Sequence, residues 1–262
     1  MIQASINNDF ESWRRAARRF LAGSIPPEQI LWTNETQGSL FSAGETRPQN
    51  EEHLVPAQFI KLARAVACFD DASKWPLLYR ILFRLKTENR LLLEIGSDVD
   101  VSTALRMEKA VNRDVHKFHA FVRFRKLEIE SDEIYVAWHE PHHLTVERAV
   151  PFFVRRFGSM KFSILTPRGC AHWDREKLTF SDPASRSMAP EKDETEDFWL
   201  LYYRSIFNPF RLKVNAMKKE LPVRHWPTLP EAELIPQLIR EAHARESAEP
   251  ATASTTVTPT GK

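Results

Sequence analysis

A chain of 262 residues with a net charge of +2 has no global field to draw it onto nucleic acid or membrane, so any such affinity must come from local patches. Its apolar fraction of 42% and its 17 phenylalanines allow a substantial core, arranged as one large domain or two small ones. The only cysteines, Cys68 and Cys170, exclude a disulfide framework and a Cys-rich metal site, and an iron–sulfur cluster held by this chain alone is not expected.

The opening MIQASINNDFESW lacks the charged start and apolar core of a signal peptide, and no apolar run approaches the roughly 18 residues of a membrane span. A soluble cytoplasmic protein is expected. Asp9 is a natural N-cap for a first helix over residues 9–22, with Phe10, Trp13, Ala17 and Phe20 on one side and Gly23 as its stop. Ile30-Leu31-Trp32 reads as a brief strand, and Thr33 to Glu52 as a loop. Two helices follow, Pro56–Phe69 and Trp75–Lys86. The second is apolar almost all round and therefore buried, with Arg80 and Arg84 on its wet edge.

The central stretch, Met107 to Asp174, carries six of the nine histidines. From Ala104 the residues Met107, Val111, Val115 and Phe118 recur at helical spacing behind the caps offered by Asp98-Val-Asp-Val-Ser-Thr. The opposite stripe holds Arg106, Lys109, Arg113, His116 and Lys117. After Phe118 the alternation fits a strand, with Phe118, Ala120, Val122 and Phe124 on one face and His119, Phe121, Arg123 and Arg125 on the other. Cations leading into a face with an aromatic ring suit a nucleic-acid strand, whose phosphates want charge and whose bases want stacking. An ordinary solvated face, with Phe121 packed under a neighbouring element, fits the same pattern. Between Val101 and Arg175, 13 Lys/Arg stand against 9 Asp/Glu, which gives a modest local excess of positive charge.

Ile134–His139 is expected to pair with the preceding strand through a turn at Glu130–Glu133. Leu144–Phe157 has a helical apolar line, and Pro151 inside it marks the expected start of the regular helix. Lys161–Thr166 and Lys177–Ser181 read as strands joined through Pro167-Arg-Gly-Cys-Ala-His-Trp-Asp. Glu194–Phe207, Phe210–Leu221 and Glu231–Arg245 are predicted helices. The expected fold is α+β: a central antiparallel sheet on a strand-strand-helix-strand-strand unit, between an N-terminal helical subdomain and C-terminal helices. One domain over residues 1–245 is expected, divided into 30–100, 101–182 and 193–245, followed by a disordered tail at 246–262.

Imidazoles and a thiolate are good zinc or iron ligands, yet His116, His119, His139, His142, His143, Cys170 and His172 match no standard metal-finger spacing. Glu140, Glu147 and Asp174 are the carboxylates available for acid–base work. GxSxG and a phosphate-cradling glycine loop are both missing from the sequence. Arg168, His172, Trp173 and Asp174 form a second polar-aromatic spot, where a structural Trp173 is the plainer alternative.

The segments VNRDVHKFHAFVRFR, YVAWHEPHHL, PFFVRRFGSMKFSILTPRGCAHWD and FWLLYYRSIFNPFRLKVNAMKKELPVRHWPTLPEAELIP, in that order, resemble DUF4130, a family of bacterial proteins linked to DNA metabolism. The resemblance runs from the Ile30-Leu31-Trp32 region to about Ala242. It implies a DNA context and a radical SAM partner that modifies or repairs DNA. It also implies a frequent C-terminal domain of the uracil-DNA glycosylase superfamily, which is not expected after the Ser/Thr/Pro-rich end of this sequence, so base excision is not carried over. Asn112 stands where a second basic residue is expected before Arg113. The family transfers no catalytic residue.

Three readings follow. In the first, a non-catalytic accessory protein presents Arg106, Lys109, Arg113, Lys117, Arg123, Arg125 and Arg168 to DNA, with Phe121 or Trp173 for a base; it needs no cofactor and no metal. In the second, the chain is itself an enzyme using His116, His119, His139 and Glu140. In the third it is a scaffold, binding a protein through Trp199–Trp226. A continuous positive groove favours the first reading, and histidines around one void favour the second.

Overall fold

One 23-residue helix, Val99–Phe121 (α4), gives side chains to all three hydrophobic cores of the described protein. The computed structural model describes residues 1–34, 55–129, 132–190, 217–218 and 221–246. The predicted helix Glu194–Phe207, most of Phe210–Leu221 and the tail beyond residue 246 lie outside them.

The chain begins with strand Ile2–Ile6 (β1), helix Phe10–Ala22 (α1) and strand Ile30–Asn34 (β2), and the two strands pair in parallel. Asp9 caps α1 by accepting the Ser12 N–H at 2.8 Å, and Gly23 follows its last turn. Helices Ala57–Val66 (α2) and Lys74–Thr87 (α3) pack against one another and against α4. Together they bury a first core around Trp13, Phe59, Trp75, Leu78 and Tyr79, to which α4 gives Val101 and Ala104. The start of α4 is pinned to α3. Asp98 accepts the N–H groups of Asp100 and Val101, and Arg84 pairs with Asp98 at 2.7 Å and with Asp100 at 3.3 Å. That guanidinium, first of all, holds the Asp98 carboxyl below its ordinary range.

The second core lies under a five-stranded sheet in the order β3-β4-β5-β6-β7: Arg125–Ile129, Asp132–Trp138, Lys161–Leu165, Cys170–Trp173 and Leu178–Ser181. The α+β class stands as expected, and three details differ from it. Only three of the four pairings are antiparallel; β4 and β5 run parallel because helix Val146–Arg156 (α5) crosses between them. Cys170–Trp173, expected as a connection, is a strand of its own, reached through a turn where Gly169 takes φ +109°. Finally, Pro151 lies inside α5 and does not begin it. The backbone bond it forgoes costs about 3 kcal/mol, offset by burial of Val146, Ala149, Val150 and Phe153 on the same helix.

The largest correction concerns Phe118–Phe124. It is no strand: α4 continues to Phe121, and β3 begins at Arg125. Phe118, Phe121 and Val122 are spaced three and four apart, so a helix buries all three. Phe118 and Val122 join the sheet core with Val150, Phe153 and Phe162. Phe121 enters a third core with Leu229, Ala232 and Ile235, contributed by the C-terminal segment and helix Ile235–Glu246 (α6). The Arg123 guanidinium donates to the Ala120 carbonyl at 2.7 Å and to the Val122 carbonyl at 3.2 Å, satisfying acceptors that the helix end leaves open.

Candidate functional site

On α4, Arg106, Lys109 and Arg113 are exposed and Lys117 is half-buried, at the spacing that puts them on one helical stripe. The Arg106 guanidinium donates to Thr103 Oγ1 at 2.9 Å. Asn112 accepts an N–H from Arg148 of α5 at 3.1 Å, so a cation from another element reaches the spot where the sequence lacks a second basic residue.

One turn along, the buried face of α4 holds a carboxylate. Asp114 is only 4% exposed and accepts three hydrogen bonds, from His142 N–H at 3.0 Å, His143 N–H at 3.1 Å and the Thr145 hydroxyl at 2.8 Å. The Thr145 hydroxyl therefore serves Asp114 and leaves α5 without a side-chain cap. The loop between β4 and α5 is tied on two further sides. Leu144 N–H reaches the Cys68 carbonyl at 2.8 Å, and Arg168 Nε donates to the Pro141 carbonyl at 3.0 Å while its guanidinium pairs with Asp70. Such a loop is preorganised by polar contacts that leave it little freedom.

Between this loop, α4 and the C-terminal segment lies a cavity of about 350 Å³ lined by Arg113, Asp114, Lys117, His142, His143 and Arg224. Burial, first of all, pushes both the His142 and His143 imidazoles below their ordinary value. Nearby, His139 is 1% exposed and sandwiched between Phe118, at 4.4 Å between ring centroids, and the parallel ring of His225 at 5.6 Å. Neither nitrogen of His139 meets a hydrogen-bond partner among the described residues. Burial, helped by the neighbouring His225, pushes His139 down to about 3. His225 falls to about 4, through burial and then the Arg224 cation, whose Nε–H donates to His225 Nε2 at 3.0 Å.

The remaining sequence candidates do not line this cavity. His119 stacks on Phe152 at 4.3 Å and donates its Nε2 proton to the Ala149 carbonyl at 3.0 Å. His116 is exposed on α4, and Glu140 accepts the Trp138 indole N–H at 3.0 Å. No group of three or more His, Cys, Asp or Glu among the described residues is arranged to hold a metal. His172 bridges Ser163 at 2.8 Å and Ser181 at 2.9 Å across the sheet.

Phe121, expected to face outward, is 7% exposed and lies 4.8 Å from the His225 ring, because helical geometry turns it into the third core. Arg125 reaches the Pro190 carbonyl at 2.7 Å. Trp173 packs on the sheet core and donates to the Gly158 carbonyl at 3.0 Å, the structural role given above as its alternative.

Sequence reasoning missed Asp114 and Arg224. Asp114 left a signal: a carboxylate on the apolar line, three residues after Val111 and four before Phe118. Arg224 left none, since its approach to α4 is long-range.

No helix among the described residues is long and apolar enough to cross a membrane. Neither the curated proteins nor the solved structures contain a match to this chain. The family model for DUF4130, a domain of unknown function, matches residues 72–231. That span covers more than half of the chain and takes in α3, α4, the whole five-stranded sheet and the cavity. With its charged cleft on α4 inside the matched span, the chain belongs to the DUF4130 family.

Proposed function

We propose that this protein is a cytoplasmic DNA metabolism accessory protein that binds nucleic acid along α4 and works beside a radical SAM protein that modifies or repairs DNA. The observation supporting the binding role is the row Arg106, Lys109, Arg113 and Lys117 on one unbroken helix, leading into a concave site where Arg224 adds a further cation. Eleven residues separate Arg106 from Lys117, about 16 Å of helix at 1.5 Å per residue. That length suits a few successive phosphates of one strand. The Arg148–Asn112 contact brings another cation beside the row. The DNA context and the radical SAM partner rest on the family resemblance, and the two cysteines of this sequence fit a division of labour in which the partner brings the cluster.

Fluorescence anisotropy with a single-stranded oligonucleotide over a salt series tests the reading. Each phosphate contact to a single strand contributes about 0.7 to the slope of log affinity against log salt. Replacing both Arg106 and Lys109 by alanine is therefore expected to flatten that slope by about 1.4. An absence of salt-dependent affinity at low salt, with or without the partner, ends the proposal.

A further inference from the structure

We infer that the cavity beside Asp114 receives the terminal phosphate of a nucleic-acid strand, a phosphate monoester, while the exposed row on α4 holds internal phosphodiesters. This rests on the nucleic-acid reading above and assigns a distinct task to one end of the site.

Charge balance is the first argument. Arg113, Lys117 and Arg224 meet around the cavity with one carboxylate, Asp114. Cationic side chains thus outnumber carboxylates in the lining, with the imidazoles of His142 and His143 uncharged near neutral pH. A phosphate monoester carries about −1.5 to −2 at pH 7, whereas an internal diester carries one negative charge. Asp114 is a weak deterrent to an anion, because three donors from the loop already engage its oxygens.

Geometry is the second argument. Arg224 commits its Nε to His225, which holds the guanidinium against that ring at the cavity wall. A guanidinium held in that way makes paired hydrogen bonds to phosphate oxygens that a lysine cannot. His225 is in turn clamped between His139 and Phe121, so the arginine stands on a rigid, water-poor base. Fixed charges backed by a low-dielectric wall act on an anion more strongly than the same charges on an open surface.

Shape is the third. An internal phosphate continues in both directions and fits an exposed ridge, whereas a chain end can enter a recess. At about 350 Å³ the cavity is near the lower end of the roughly 300–1,000 Å³ typical of small-molecule sites. That is room for a terminal phosphate with its sugar, and too little for a duplex. Arg113 belongs to both the ridge and the recess, so a strand lying along α4 is led to it.

The test is a competition assay using oligonucleotides of one sequence that carry a 5′-phosphate, a 3′-phosphate or hydroxyls at both ends, with a deoxynucleoside monophosphate and inorganic phosphate as further competitors. One phosphorylated form is expected to bind roughly tenfold tighter than the hydroxyl-ended strand, the advantage of about one added charge-assisted contact. Arg224→Gln is expected to bring that ratio below about twofold while keeping the wild-type melting temperature. The Arg106→Ala and Lys109→Ala pair should weaken all three strands alike and preserve the ratio. Equal binding of all three strands overturns the terminal-phosphate site and leaves the nucleic-acid reading standing. Failure of every strand to bind removes both. Competition by the mononucleotide or by inorganic phosphate as strong as that of the phosphorylated strand overturns the assignment to a strand end, since the recess then serves a free anion.

Discussion

Acidification should unfold this protein through His139. The ring is buried against Phe118 and His225, meets no polar partner among the described residues, and is held down to about 3. The unfolded chain, with an ordinary value near 6.5, therefore binds a proton that the folded chain refuses. Stability from this group is complete above about pH 6.5 and is lost as pH falls towards the folded value. Between pH 7 and pH 5 the loss through His139 alone comes to about 2 kcal/mol, at 1.36 kcal/mol per pH unit. His225 acts in the same direction, as do His119, His142 and His143, whose values burial also lowers. The carboxylates held low by their partners, such as Asp98 and Glu133, start from ordinary values of 3.8 and 4.5 and so lose their contribution at lower pH. Urea denaturation near pH 7 and near pH 5, on the wild type and on His139→Phe, isolates the single ring. Any shape cost of the substitution is the same at both pH values and cancels. The variant should lose about 2 kcal/mol less than the wild type between the two conditions. Equal losses in the two proteins would refute a neutral, desolvated His139.

Three further substitutions probe the supports of the site. Asp114→Asn turns an acceptor into a donor facing the donors of the loop, and should cost about 3 kcal/mol in urea unfolding; a loss below about 1 kcal/mol would mean the loop is held elsewhere. Phe121→Ala should destabilise by about 3 kcal/mol because it empties part of the third core. Unchanged stability with weakened DNA binding would instead restore the outward-facing ring expected from alternation. Arg84→Ala, which breaks the pairs with Asp98 and Asp100, should lower stability by about 1–2 kcal/mol, while Arg106→Ala on the open stripe should change it by less than about 0.5 kcal/mol, both read from denaturant midpoints at pH 7.

Local chemistry was legible wherever it decided the structure. Asp9 and Gly23 delimited α1, Asp98 announced α4, and the all-round apolar pattern of α3 identified it as buried. FHAFVRFR misled because Phe118, Phe121 and Val122 satisfy a helix and, taken with their neighbours, alternate like a strand. In so short a run periodicity cannot arbitrate, and the partners awaiting Phe121 lie more than a hundred residues further on. Strand β1 escaped for a related reason: its inward residues are only Ala4 and Ile6, and its partner β2 lies beyond a whole helix. Strand β6 was hidden in PRGCAHWD, whose proline and glycine belong to the turn before it. For the site, the cationic row on α4 was visible as a stripe. The recess it leads to was not, because that depends on Arg224 folding back from the far end of the chain.

Because α4 supplies Val101 and Ala104 to one core, Phe118 to another and Phe121 to the last, none of the three can melt alone without stripping a wall from this shared helix. Breathing motions that open one end of an ordinary helix would here have to break the interior of the whole protein. Amide hydrogens from Ala104 to Phe118 should accordingly exchange with deuterium at one common, slowest rate set by global opening, while those of β7 at the sheet edge exchange sooner. The cations along α4 then keep their spacing for as long as the protein remains folded, like marks on a rigid ruler.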